Sequence, residues 1–344
     1  SNDLIYWYSE NKRDLPWRHT TDPYKIWLSE IILQQTQIKQ GLPYYLRFIE
    51  KYPNVKDLSI ASENDVLKMW EGLGYYSRAR NLHKTAKIVS NDLGGLFPLT
   101  FLELIKLPGI GDYTASAISS FSNNEVVSVV DGNVYRFISR LIGINTPINT
   151  YKSLKQFKKV TMNLISKENP SDFNQAIMEF GALVCRPSTP SCSVCDFNDQ
   201  CYAFKNDLVF DFPYKLKTKK SISRFFNYLV FLTEDNLTCV EKRSKKGIWQ
   251  NLYQFPLFET DRLVDLNEIN KYADSLKYIS IKSESTELFK NQSIVHKLSH
   301  QNISISFWII KVKSINTNYI GFNKINSFPF PKPISNFLSI FNLQ

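Results

Sequence analysis

The spacing C-x6-C-x2-C-x5-C, formed by Cys185, Cys192, Cys195 and Cys201, restricts this chain more than any other feature of it. Four thiolates this close in sequence can close around one metal centre, and the backbone between them must then fold back as a compact loop. Paired zinc sites usually show two C-x2-C knuckles across a longer loop. Only one C-x2-C occurs here, flanked by unequal, wider spacings, which favours a [4Fe–4S] cluster, whose four thiolates tolerate irregular spacing. The competing reading is a pair of disulfides. It needs an oxidising compartment, and the start, Ser1-Asn2-Asp3, carries no apolar signal core. Cys239 lies in a largely apolar stretch and reads as a small buried hydrophobe.

A length of 344 residues suggests about two domains, and a hydrophobic fraction of 43% supports ordinary cores. No run of about 18 apolar residues is present, so the expectation is a soluble intracellular protein, monomeric and without a membrane partner. The formal net charge of +10 suits a polyanion, most simply nucleic acid, against the plainer alternative of a basic solvated surface.

Periodicity divides the chain. Residues 1–204 read as helical, with apolar residues at spacings of three and four. Asp22-Pro23 is an N-cap and first-turn proline opening a helix through Ile26, Trp27, Ile31 and Ile38. Thr100-Phe101-Leu102-Glu103 fits a capping box whose helix ends at Pro108. Residues 205–224, with Lys215-Leu216-Lys217-Thr218-Lys219-Lys220, read as a basic linker. In residues 225–344 the stretches 225–240 and 303–312 are β-branched and aromatic, and 266–276 reads as a helix, so this part is mixed α/β.

Leu107-Pro108-Gly109-Ile110-Gly111 joins two helical segments. Gly109 and Gly111 permit a tight turn with exposed backbone, and the free N–H groups of the helix starting at Asp112 can hold a phosphate oxygen without reading sequence. Alone, such a turn is equally a plain helix connector.

The hairpin, then Asp131, then the four cysteines resemble the endonuclease III superfamily of DNA glycosylases. Within it the chain resembles the MutY-type adenine DNA glycosylases. The matching stretches are Leu15-Pro16-Trp17-Arg18, Ser29-Glu30, Leu33-Gln34-Gln35-Thr36-Gln37, Gly72-Leu73-Gly74-Tyr75-Tyr76-Ser77-Arg78-Ala79-Arg80, Val130-Asp131-Gly132-Asn133-Val134 and Phe173-Asn174-Gln175-Ala176. The resemblance implies a multidomain chain. It has an all-α helix-hairpin-helix glycosylase domain with an iron–sulfur loop (1–204), followed by an α/β MutT-like (Nudix-fold) domain (225–344) for lesion recognition. The implied partner is double-stranded DNA with adenine opposite 8-oxoguanine or guanine.

Excising a base needs an acid to protonate the leaving adenine and a charge to stabilise the cationic sugar, tasks that two carboxylates can divide. Ile26 and Trp27 share a helix face with Glu30, so its carboxyl is half-buried in apolar surroundings, unless it is an ordinary surface glutamate. Asp131 follows the apolar run 126–130 and opens a helix, where an ionised carboxylate is stabilised whether or not it is more than a cap. The resemblance assigns Glu30 as the acid and Asp131 as the second catalytic carboxylate. Strand-cleaving members carry a nucleophilic lysine just after the hairpin. Tyr113 stands there, and no lysine occurs between Lys106 and Lys152. Hydrolysis without strong β-lyase activity follows, and by resemblance Tyr113 and Asn133 assist at the sugar. The base must be flipped out to reach Glu30. By resemblance Arg18, Trp17, Gln175 and Glu179 line its pocket, while Gln34, Gln35 and Tyr75 probe the opened strand and the opposite base.

In the second domain Lys246-Gly247-Ile248-Trp249-Gln250 and Gln254-Phe255-Pro256 resemble the surroundings of a Nudix motif. Its acidic core is missing, since Glu284 and Glu287 do not reproduce it. His296-Lys297-Leu298-Ser299-His300 resembles the F-S-H loop that senses 8-oxoguanine, with Leu298 replacing the aromatic and Ser299 and His300 kept. Two rival readings stay open: an endonuclease III-like or thymine-mismatch glycosylase, and a non-catalytic iron–sulfur redox sensor that binds DNA.

Overall fold

The computed structural model describes residues 1–217, 221–276, 284–316 and 319–341. Part of the basic segment 215–220 therefore lies outside the described residues. The α-helices are α1 (Asn2–Asn11), α2 (Pro23–Leu33), α3 (Ile38–Lys51), α4 (Val55–Ile60), α5 (Glu63–Met69), α6 (Ser77–Asn91), α7 (Phe101–Leu104), α8 (Asp112–Asn123), α9 (Gly132–Ile142), α10 (Tyr151–Leu164), α11 (Pro170–Leu183), α12 (Tyr202–Lys205), α13 (Leu266–Ser275) and α14 (Lys332–Phe341). The strands are β1 (Ile222–Leu232), β2 (Leu237–Cys239), β3 (Glu241–Lys242), β4 (Tyr253–Gln254), β5 (Leu257–Thr260), β6 (Ser285–Leu288), β7 (Ile294–Lys297), β8 (Gln301–Lys311) and β9 (Tyr319–Gly321).

The chain forms two compact units, one of residues Ser1–Ile60 and Asn81–Thr218, the other of Ala61–Arg80 and Lys219–Gln344. The first unit is helical. Its core joins Leu4 and Tyr8 of α1, Val134, Phe137 and Ile138 of α9, Phe157 of α10 and Phe173, Ile177 and Phe180 of α11. The helix starts obey local chemistry. Asp22 accepts from the Tyr24 amide ahead of Pro23, and Asp131 accepts from the amides of Asn133 and Val134. The expected capping box at Thr100 takes another form. Thr100 Oγ1 donates to the Glu103 side chain at 2.6 Å and does not cap the backbone, Glu125 Oε2 accepts from the Phe101 amide (2.7 Å) in its place, and α7 ends at Leu104 rather than at Pro108. Leu107 and Pro108 belong to the turn instead. In that turn Gly109 has φ +76°, and a Cβ there would lie 2.6 Å from Asn81 Cβ, so glycine is required twice over.

The second unit is built on a mixed sheet in the order β5-β1-β8-β6, with β7 also paired to β8. β1 and β8 run parallel over their full length, Ile222 opposite Gln301 through Leu232 opposite Lys311. Residues 226–231 of β1 and 305–310 of β8 are buried on both faces of the sheet. One face packs on α14 through Phe307, Phe330 and Phe337, the other on α13 through Ile269 and Ala273. The expected strand over 225–240 is interrupted at 233–236, where Thr233 and Asn236 make the turn into β2. Residues 61–80 belong to this unit as well. Lys68 Nζ donates to Phe328 O (3.2 Å), Tyr76 Oη to Phe330 O (3.2 Å), Arg80 Nη1 to Gln250 O (2.8 Å), and Asn251 Nδ2 to Glu63 Oε1 (2.7 Å).

Candidate active site

An open cleft of about 830 Å³ in the helical unit is lined by Glu30 from α2, Tyr113 from α8, Asp131 and Asn133 from the start of α9, and Gln175 and Glu179 from α11. Trp17 and Arg18, in the single turn after α1, line it as well. All four residues expected to be catalytic, and all four expected to line a base pocket, thus share one cavity.

α2 is buried along most of its length, and the Glu30 side chain faces inward with it, only 7% exposed. Burial pushes the Glu30 carboxyl up to about 7, with a further rise from Asp131 and a partial opposing pull from the Tyr113 hydrogen bond and Arg18. Tyr113 Oη donates to Glu30 Oε2 at 2.8 Å. Burial and the two carboxylates hold the phenol well above its usual value, so it remains a neutral donor.

Asp131 has a different setting. Its Oδ1 accepts from the amides of Asn133 and Val134 (both 2.8 Å), and its Oδ2 accepts from Asn133 Nδ2 (2.7 Å). Burial raises this carboxyl above the ordinary value, while these three donors and Arg136 act against the rise. Every partner is a donor, which satisfies the acceptor-only, ionised carboxylate. Asn133 is itself fixed. Arg136 Nη2 donates to Asn133 Oδ1 (2.9 Å), orienting the amide so that its nitrogen faces Asp131. A Cβ on Gly181 would come within 2.7 Å of Asn133 Cβ, so glycine lets α11 close on this point.

Glu179 forms the floor of an ion cluster. Arg13 reaches it through Nε (2.8 Å) and Nη2 (2.6 Å), Arg18 through Nη1 (2.9 Å) and Nη2 (2.7 Å). Burial alone would raise Glu179, but the hydrogen bonds of the two arginines outweigh it and hold the carboxyl at about 2. Tyr8 Oη donates to Gln175 Oε1 at 3.0 Å. Arg13 and Tyr8 escaped the sequence reading. Arg13 sits in a charged run that reads as solvated surface, and Tyr8 as one more apolar position of α1.

Gln34 caps the end of α2 and donates from Nε2 to Thr114 Oγ1 (3.1 Å), while Gln35 is exposed with φ +53°. Neither lines the cleft. Gly109 and Gly111 lie exposed in the turn before α8. Cys185, Cys192, Cys195 and Cys201 are all free thiols and line a small cavity with Phe137 and Arg140. Among the described residues, no three His, Cys, Asp or Glu side chains stand close enough together to ligate one metal ion. Arg140 is almost fully buried and pins this loop. Its guanidinium donates to the carbonyls of Arg186, Pro187, Val209 and Phe212 and, through Nη1, to Cys185 Sγ at 3.4 Å. Arg136 donates from Nε to Cys185 O (2.6 Å) while touching Asn133, so one side chain joins the cysteine loop to the carboxylate site.

Tyr75, Leu298, Ser299 and His300 lie in the other unit. They line a second concavity of about 1,480 Å³ together with Trp249 and His296. The Tyr75 phenol and Ser299 hydroxyl share a short hydrogen bond. Leu298 is half-buried against the apolar core of that unit, and burial keeps His296 below its usual value and hence neutral.

A family model described as HhH-GPD superfamily base excision DNA repair protein matches residues 28–162, and a NUDIX domain model matches residues 227–339. The chain is 37% identical over 344 residues to the adenine DNA glycosylase of Buchnera aphidicola subsp. Baizongia pistaciae (strain Bp), covering 98% of this chain and 95% of that protein. It is 41% identical over 209 residues to the adenine DNA glycosylase of Homo sapiens, 58% of this chain and 38% of that one. Among solved structures, a thermostable thymine-DNA glycosylase matches with TM-score 0.55 at 30% identity, over 60% of this chain and 94% of that one. Endonuclease III in a non-covalent DNA complex matches with TM-score 0.53 at 22% identity and the same coverage, a likeness of fold. Among the described residues no helix is long and apolar enough to cross a membrane.

Proposed function

The chain belongs to the adenine DNA glycosylases, and from that premise we propose that it releases adenine lying opposite 8-oxoguanine or guanine in duplex DNA, with Glu30 as acid and Asp131 as the charge that meets the sugar cation. The observation that carries this reading is the contrast between two carboxylates in one cleft. Glu30, raised to about 7 by burial, is about half protonated at neutral pH, whereas the donors around Asp131 oppose the rise that burial drives and suit its ionised form.

In this reading the extruded adenine enters the cleft with its ring edge toward Arg18, Gln175 and Glu179. Glu30 gives a proton to a ring nitrogen. The N-glycosidic bond breaks with its electron pair leaving on the base, and C1′ becomes oxocarbenium-like. Asp131 stabilises that cation through space. Water then adds to C1′ and yields a proton to the carboxylate left on Glu30, which resets the acid. Tyr113 in place of a lysine leaves no amine for a Schiff base at this point, which favours hydrolysis over strand cleavage.

Cys185, Cys192, Cys195 and Cys201 would hold a [4Fe–4S] cluster. Four free thiols around one cavity, each within reach of the loop that Arg140 pins, support this reading, and a four-iron cluster spreads its thiolates more widely than a single ion does. Such a cluster can exchange electrons when bound, but base hydrolysis moves none, so its service here is to hold the loop. The Tyr75–Ser299 pair and the concavity around it support reading of the opposing base by the second unit. Leu298, already engaged with the core, is poorly placed to act as a wedge.

The test is release of adenine from duplexes bearing 8-oxoguanine, guanine, cytosine or thymine opposite the adenine. Fast release opposite the first two, and none from Glu30→Gln, is the expected result. Equal rates opposite all four sink the opposing-base part, and full activity in Glu30→Gln sinks the acid assignment.

A further inference from the structure

Tyr75 holds its backbone in the left-handed region, φ +48°, with its side chain 48% exposed. A residue with a Cβ adopts this conformation at a cost, and keeps it where its surroundings over-determine it. Arg78 provides those surroundings. It is 8% exposed, and its amide donates to Tyr75 O at 2.9 Å. Its Nη2 donates to Leu73 O (3.2 Å) and Gly74 O (3.1 Å). Its guanidinium lies over the rings of both Trp70 (5.1 Å) and Tyr75 (5.7 Å). Trp70 Nε1 donates to Gly74 O as well, at 3.0 Å, so this one carbonyl is gripped from two sides.

A planar fork that bonds carbonyls in its plane and stacks on rings above it is a property of arginine, not of lysine, whose ammonium is a point donor. We propose that Arg78 is a positioning residue for opposing-base recognition: it locks the 72–75 loop so that the Tyr75 ring already stands beside Ser299 before DNA arrives. This inference rests on the opposing-base reading above and adds to it a residue that touches no DNA atom itself. An arginine at the first turn of α6 would otherwise be solvated, since a helix start offers no attraction to a cation. Its burial between two aromatic rings instead ties it to the loop.

The experiment uses the full chain carrying Glu30→Gln, which blocks release and lets binding be read alone. Affinities are measured for two duplexes, with adenine opposite 8-oxoguanine or opposite cytosine, in Arg78→Lys, Tyr75→Ala and the double variant. Each single change should weaken the 8-oxoguanine duplex about tenfold and the cytosine duplex less than about twofold, and the double should lose no more than one single. Losses that multiply, an equal loss on both duplexes from Arg78→Lys, or no loss from Tyr75→Ala on either duplex overturns the proposal. Arg78→Gln, which keeps planar donors without charge, repeats the test if the lysine variant does not fold. A chain with Arg78 and Tyr75 intact that binds both duplexes alike refutes the opposing-base reading instead. The Arg78 assignment is then decided by whether the two losses overlap on either duplex.

Discussion

Tyr113 Oη donates to Glu30 Oε2 across 2.8 Å, which ties the helix after the hairpin to a buried carboxyl of the cleft. The bond stabilises the ionised form of Glu30 and so restrains a rise that burial drives. Tyr113 therefore holds the Glu30 carboxyl below the value that burial alone would set.

The pH dependence follows from that bond. With Glu30 at about 7, single-turnover adenine release should fall about tenfold per pH unit on the alkaline side. Tyr113→Phe removes the restraining hydrogen bond, so the alkaline limb should move to higher pH even as the maximal rate drops. A limb that stays put shows that another group sets it.

Stability and activity fall together as Glu30 loses its proton, but they part under substitution at this position. The folded Glu30 sits near 7 against 4.5 unfolded, so the native state binds the extra proton between these values and loses stability as pH rises through them. The cost of the buried charge above pH 7 is on the order of 3 kcal/mol. Glu30→Gln should therefore raise the melting temperature at pH 8.5 (about) and leave it nearly unchanged near pH 4 (about). Thermal melts at both pH values decide.

Glu179 works in the other direction. Its carboxyl is held at about 2 by Arg13 and Arg18, so the stability it confers is present above its unfolded value and disappears as pH falls toward 2. Glu179→Gln leaves two guanidiniums facing each other. Because Arg13 is partly exposed, the expected loss at neutral pH is about 1–3 kcal/mol, with adenine release abolished. The loss in melting temperature should shrink at acid pH.

Arg136 is the third lever. It orients Asn133 and holds Cys185 O, so Arg136→Met should slow release about 10–100-fold while duplex affinity changes less than about twofold. Unchanged release in a folded Arg136→Met variant would show that Asn133 needs no such support.

Much of the site was legible because its residues are also local structure. Asp22 and Asp131 announce helix starts, Gly109 a turn that only glycine can make, and the α2 apolar face carries Glu30 inward. What could not be read was long-range pairing of charge. Arg13, Arg136 and Arg140 sit at positions where sequence spacing suggests solvated helix surface or a charged run, yet each is folded against carbonyls or a carboxylate far along the chain. The short α7 shows the same limit, since the Thr100–Glu103 pattern was present but its hydrogen bond went between side chains.

Residues 61–80 fold with the β-sheet unit although nearly 140 residues of the helical unit follow them in sequence. A protein shortened before residue 219 would keep this stretch but strip it of the carbonyls of Gln250, Phe328 and Phe330 that now receive Arg80, Lys68 and Tyr76. The sheet unit is thus no detachable cassette: recombination or truncation at its apparent border would leave an orphaned piece of it embedded in the remaining half.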